Sequence, residues 1–100
     1  MGQTKTQGKA GTRVKLKEPA KSKVFILNDD QTTMEFVILV LKKVFDKEDV
    51  EAIVIMTTAH ETGKALVGTY PKNVANAKVK KAETMASVAE YPLKFQIEDV

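Results

Sequence analysis

One hundred residues, 43% of them apolar, supply one hydrophobic core and exclude a second domain or an elaborate catalytic cleft. The absence of cysteine excludes disulfides, thiol nucleophiles and thiolate metal sites, and fits a reducing compartment. The formal net charge of +3 divides unevenly, because residues 1–23 hold seven Lys/Arg against Glu18 (+6) while the remainder holds nine against twelve Asp/Glu (−3); the folded part is therefore mildly acidic, which argues against a nucleic-acid surface there.

Residues 1–21 show neither a 2.0 nor a 3.6 apolar period, with only Val14 and Leu16 among Gly, Thr, Gln and Lys, so a flexible cationic arm is expected. Val24-Phe25-Ile26-Leu27 reads as a central strand that delivers Asn28, Asp29 and Asp30 to one end of a sheet. Thr32 and Glu35 form a T-x-x-E capping box, and Met34, Val37, Ile38, Leu41, Val44 and Phe45 follow at helical spacing as a buried stripe. Asp46 to Asp49 suit the start of a second helix, Val50 to Thr62, ended by Gly63. Its residues fall on two faces, one with Val50, Ile53, Val54 and Thr57, the other with Ala52, Ile55, Met56, Ala59 and His60, and each is expected to need its own neighbour. Lys64 to Tyr70 reads as a strand stopped by Pro71. A third helix over 72–90 carries Ala75, Val79, Ala82, Met85, Ala86 and Ala89, Pro92 breaks it, and Leu93 to Ile97 alternates as a strand. The order β-α-α-β-α-β predicts an α+β fold, a small three-stranded and largely antiparallel sheet against three helices.

No apolar run approaches the roughly 20 residues that cross a bilayer, and the N-terminus lacks an apolar signal core, so a cytoplasmic protein is expected. Among the polar residues, Asn28, Asp29 and His60 suit recognition of a primary ammonium, since amide oxygen, carboxylate and a neutral imidazole nitrogen offer three acceptors to three N–H donors. An acylated nitrogen lacks the charge and two donors, so such a site would reject it. Taken singly these residues have plainer readings: Asn-Asp-Asp between a strand and a helix is ordinary turn and capping chemistry, a lone histidine is usually structural, and Met34 and Met56 at helical spacing usually fill a core. What favours the ligand reading is Met56 one turn before His60 with Ala59 beside it, an apolar surface meeting a polar rim.

Two segments, Asn28-Asp29-Asp30-Gln31-Thr32-Thr33-Met34-Glu35-Phe36-Val37 and Ala59-His60-Glu61-Thr62-Gly63-Lys64-Ala65, resemble the signature of the ClpS family, the bacterial adaptors that hand N-degron substrates to a Clp protease, and the likeness extends over roughly residues 22–98. The resemblance implies a non-enzymatic adaptor domain over 22–100, with no cofactor and no metal. It implies that Asn28, Asp29 and His60 hold a substrate's α-amino group beside Asp30, and that Thr32, Met34, Val37, Met56, Ala59 and Leu93 surround its first side chain, which would be Phe, Tyr, Trp or Leu. Met34 would act as the gate of that pocket. The implied partner is the N-terminal domain of a ClpA-type AAA+ unfoldase, with Glu61, Thr62 and Lys64 as candidate docking residues, and the adaptor would work as a monomer. Thr33 stands where the family pattern has proline, and Ala59 where a branched aliphatic residue is common. Two rivals remain: a small nucleic-acid-binding domain working through the cationic arm, which salt dependence would expose, and a hydrolase pairing Asp29 or Asp30 with His60, disfavoured because no serine elbow, cysteine or zinc spacing accompanies them.

Overall fold

The computed structural model describes residues 20–100. The arm expected over 1–21 thus lies outside the described residues except for Ala20 and Lys21. Three strands and three helices alternate as β1 (Lys21–Leu27), α1 (Met34–Lys43), α2 (Asp49–Thr62), β2 (Lys64–Pro71), α3 (Lys72–Val88) and β3 (Phe95–Asp99). The sheet order is β2-β1-β3 with both pairings antiparallel, so the strand that carries Asn28 and Asp29 at its end is the central one, in agreement with the α+β order read from the sequence.

Along β1 the side chains alternate as a strand buried on one face requires: Ser22, Val24 and Ile26 are buried, while Lys21 and Lys23 are exposed. The buried Ser22 hydroxyl donates to an Asp99 carboxylate oxygen on β3 at 3.0 Å, which satisfies the one polar group in this inner row. A register shift opposite Val24 and Phe25 adds a residue to β2. Next to it, Gly68 leaves room for the Tyr70 ring, whose hydroxyl would lie 2.7 Å from any Cβ placed there. The strand is three residues longer at its start than the apolar run alone suggested, because Lys21, Ser22 and Lys23 pair with Pro71, Tyr70 and Thr69; backbone pairing, not side-chain apolarity, holds that stretch.

Helix α1 begins one residue later than the T-x-x-E box implied. Its N-cap is Thr33, in extended geometry, and the Thr33 hydroxyl accepts the Phe36 N–H at 3.2 Å. Thr32 is diverted: its hydroxyl donates to Asp29 at 2.9 Å. The buried stripe contains Val37, Leu41, Val44 and Phe45 as expected, together with Val40, whereas Ile38 is only half-buried and Met34 is 63% exposed. Helix α2 buries Ala52, Ile55 and Ala59 and ends at Gly63 in the left-handed region. Its other apolar face finds no neighbour among the described residues, with Val50, Ile53 and Val54 exposed.

Helix α3 approaches the sheet through side chains small enough to vanish into it, Ala75, Ala82 and Ala86. It stops at Val88, ahead of Pro92, because Glu90 turns left-handed (φ 65°) and the chain reverses: the Tyr91 N–H donates to Ala86 at 2.8 Å and the Glu90 N–H to Ser87 at 3.0 Å. Ala89 is therefore exposed rather than on the buried stripe. Leu93 falls in the connection before β3, which starts at Phe95, yet it is among the most deeply buried side chains, with Ile26, Leu41, Val24 and Val40. Burying a side chain of this size contributes about 1.5–3 kcal/mol. A Glu83 carboxylate oxygen accepts the Phe95 N–H at 2.9 Å and ties the start of β3 to α3.

Candidate functional site

The site is built where β1 runs out. Its last residue is held from one side, the Leu27 N–H donating to the Lys94 carbonyl at 3.1 Å, and the next residue from the other, the Asn28 N–H donating to the Gly63 carbonyl at 3.0 Å. Gly63 closes α2, with φ 97° and its own N–H on the Ala59 carbonyl at 2.8 Å. A residue with a side chain takes this backbone only under strain, so the glycine is what lets the helix end turn its carbonyl to the strand. This junction sets Asn28 and Asp29 beside the last turn of α2, where His60 stands.

Asp29 is pinned by its own turn. One carboxylate oxygen accepts the Gln31 N–H at 2.8 Å and the Thr32 N–H at 2.7 Å, and the other accepts the Thr32 hydroxyl. Burial raises the carboxyl pKa, but the bonds from the Thr32 N–H, the Gln31 N–H and the Thr32 hydroxyl outweigh it and leave the group below its ordinary value. Asp29 is thus a fixed anion. Among the described residues, the Asn28 side chain and the His60 ring have no hydrogen-bond partner, so neither is engaged in holding the fold.

Asn28, Asp29, Asp30, Thr32, Met34, Val37, Met56 and His60 together line one cavity of about 310 Å³. Thr57 lines it too, although its spacing groups it with Val50, Ile53 and Val54 rather than with His60; its position three residues before His60 on the same helix is the signal that finds it. Ala59 and Leu93 are not on this wall. They line a smaller space of about 30 Å³ that shares Asn28, Asp29, Val37 and Met56 with the larger cavity and adds Ile26 and Leu27. Its lining joins polar Asn28, Asp29, Asp30, Thr32, Thr57 and His60 to apolar Met34, Val37 and Met56, of which Met34 is largely exposed. Such a cavity can seat an apolar side chain beneath a cationic group.

Glu61, Thr62 and Lys64 lie exposed at the turn from α2 to β2. The Thr62 hydroxyl sits 2.8 Å from the carbonyls of both Thr58 and Lys64, and Lys64 pairs with Glu98 at 3.0 Å while lying 4.5 Å above the Phe25 ring. Among the described residues no group of three His, Asp or Glu could hold a metal ion, and no helix is long and apolar enough to cross a membrane.

Comparison with known proteins identifies the family. The family model for the ATP-dependent Clp protease adaptor protein ClpS matches residues 17–96. The chain is similar to the ATP-dependent Clp protease adapter protein ClpS of Nautilia profundicola, 46% identical over 82 residues covering 82% of this chain and 84% of the relative. It is also similar to that of Acetivibrio thermocellus, 43% identical over 94 residues covering 94% and 95%. Among solved structures it is similar to Agrobacterium tumefaciens ClpS2 bound to L-phenylalaninamide, with a TM-score of 0.79 and 38% identity, covering 83% of this chain and all of that one. The chain belongs to the ClpS family of Clp protease adaptors.

Proposed function

We propose that this chain binds proteins through a free N-terminal α-amino group followed by a bulky apolar side chain, and delivers them to a Clp AAA+ unfoldase of the ClpA type. The supporting observation is the meeting of Asn28, Asp29 and His60 at the mouth of a 310 Å³ cavity walled by Met34, Val37 and Met56. The ammonium sits among the Asn28 amide oxygen, the Asp29 carboxylate and an imidazole nitrogen of His60, with Asp30 adding negative charge at the rim. Thr32 keeps Asp29 aimed. The first side chain, Phe, Tyr, Trp or Leu, enters between Met34, Val37 and Met56, with Ala59 and Leu93 behind. The L-phenylalaninamide bound by the Agrobacterium relative is a free amine carrying an aromatic side chain, the same combination.

Residues 22–100 form the adaptor domain in this reading. Residues 1–21, with their excess of Lys and Arg, serve as the extension that an unfoldase engages, while the N-terminal domain of that unfoldase docks on a surface that includes Glu61, Thr62 and Lys64. The adaptor acts as a cytoplasmic monomer and makes or breaks no bond.

The test compares a labelled peptide beginning with Phe and the same peptide acetylated at its N-terminus. The free peptide should bind and the acetylated one should not; equal binding, or none, refutes the reading. Asp29→Ala and His60→Ala should each weaken the free peptide by at least about 1–3 kcal/mol, the scale of a lost hydrogen bond to a charged donor.

A further inference from the structure

Adjoining the larger cavity, and sharing Asn28, Asp29, Val37 and Met56 with it, lies the smaller space of about 30 Å³; of the two, Ala59 and Leu93 line only this one. Its walls differ in freedom. Ile26 and Leu93 are almost wholly buried members of the core cluster. Met56, which lines both spaces, is only half-buried, unbranched and able to change rotamer at little cost. Ala59 follows it by three residues on α2, hence on the same side of the helix, and presents only a methyl group. This space, about 30 Å³, exceeds the roughly 10–15 Å³ that one water requires, and Ile26, Leu27, Val37, Met56, Ala59 and Leu93 make most of its lining apolar.

Resting on the reading of the larger cavity as the seat of a substrate's first side chain, we infer that Ala59 is a specificity-determining residue that acts through Met56. The thioether withdraws into the space that Ala59 leaves open, and the cavity deepens to admit an indole or phenyl ring. A leucine side chain is short enough to be seated without that movement. A larger residue at position 59 fills the retreat, holds Met56 forward and penalises rings more than leucine.

Dipeptide amides beginning with tryptophan, phenylalanine or leucine are titrated against the full chain and against Ala59→Val and Ala59→Ile. The unmodified chain should bind the tryptophan probe within about threefold of the phenylalanine probe, and Ala59→Ile should lower the tryptophan-to-leucine affinity ratio at least about tenfold, the scale of one misfitting methylene in an apolar pocket. Ala59→Val should fall between. In a Met56→Leu background, whose branched side chain lacks the same retreat, Ala59→Val should no longer move the ratio, an outcome a purely structural role for Ala59 does not produce. Circular dichroism establishes that each variant is folded, and Ala59→Val decides the matter if Ala59→Ile is not. A ratio that neither variant changes overturns the inference, as does a wild-type chain that binds phenylalanine and rejects tryptophan. If no probe binds the unmodified chain, the adaptor reading fails and the inference falls with it.

Discussion

At the scale of single residues, the decisive arrangement is the turn that follows β1, where Asp29 collects three hydrogen bonds from Gln31 and Thr32. Because its folded pKa is lowered, the ionised carboxylate stabilises the fold; that contribution is complete above the unfolded value of about 3.9 and is lost as pH falls through the lower folded one. Asp29→Asn keeps an oxygen for the two backbone donors and removes the charge. Urea midpoints measured from about pH 5 downward should therefore fall less steeply for Asp29→Asn than for the unmodified chain; parallel slopes would contradict the assignment. The same residues show where reading the sequence stops. A threonine N-cap was legible, but two adjacent threonines compete for the role, and only the carboxylate that captures Thr32 hands the cap to Thr33. Nothing in the spacing of T-x-x-E records that competition, which depends on the path of the turn.

Among the elements, order and pairing followed from periodicity and from Gly and Pro punctuation, while the ends were set by bonds invisible to it. The third helix, expected over 72–90 ahead of Pro92, ends at Val88 because of the left-handed turn at Glu90. Gly63, by contrast, was legible as the residue after α2 because few others tolerate its backbone. Gly63→Ala should destabilise the domain by about 1–2 kcal/mol in urea or thermal unfolding, a cost of backbone strain alone, since a Cβ there meets no atom within 4 Å. A stability within experimental error of the unmodified chain would show that α2 ends well without the glycine. The least legible feature was the outer face of α2. Val50, Ile53 and Val54 carry the signature of burial and are exposed, because apolar spacing shows that a face can be covered without showing that anything covers it.

For the molecule as a whole, the residues proposed to hold a substrate come from the end of β1, the start of α1, the end of α2 and the connection before β3. Their convergence could be inferred from sequence only through the family resemblance, since no local pattern relates Asn28 to His60 or Leu93. The charge split matches the separate roles proposed for the arm and the domain. Removing residues 1–19 should leave the affinity for a Phe-initiated peptide within about twofold while abolishing delivery of that substrate to the protease, measured as degradation by a ClpA-type assembly; the deletion tests an arm whose charge would confer steep salt dependence only if it gripped phosphates. Loss of peptide binding on truncation would move the site into the arm.

The chain enters the described structure through β1, the one strand with a partner on each edge. A force applied at residue 20, with the body held back as a unit, runs along that ribbon and loads both ladders together. Neither edge can peel away first. A motor tugging on the amino terminus would meet both pairings of β1 at once, and the opposite end of the same ribbon leads directly to Asn28 and Asp29 of the proposed site.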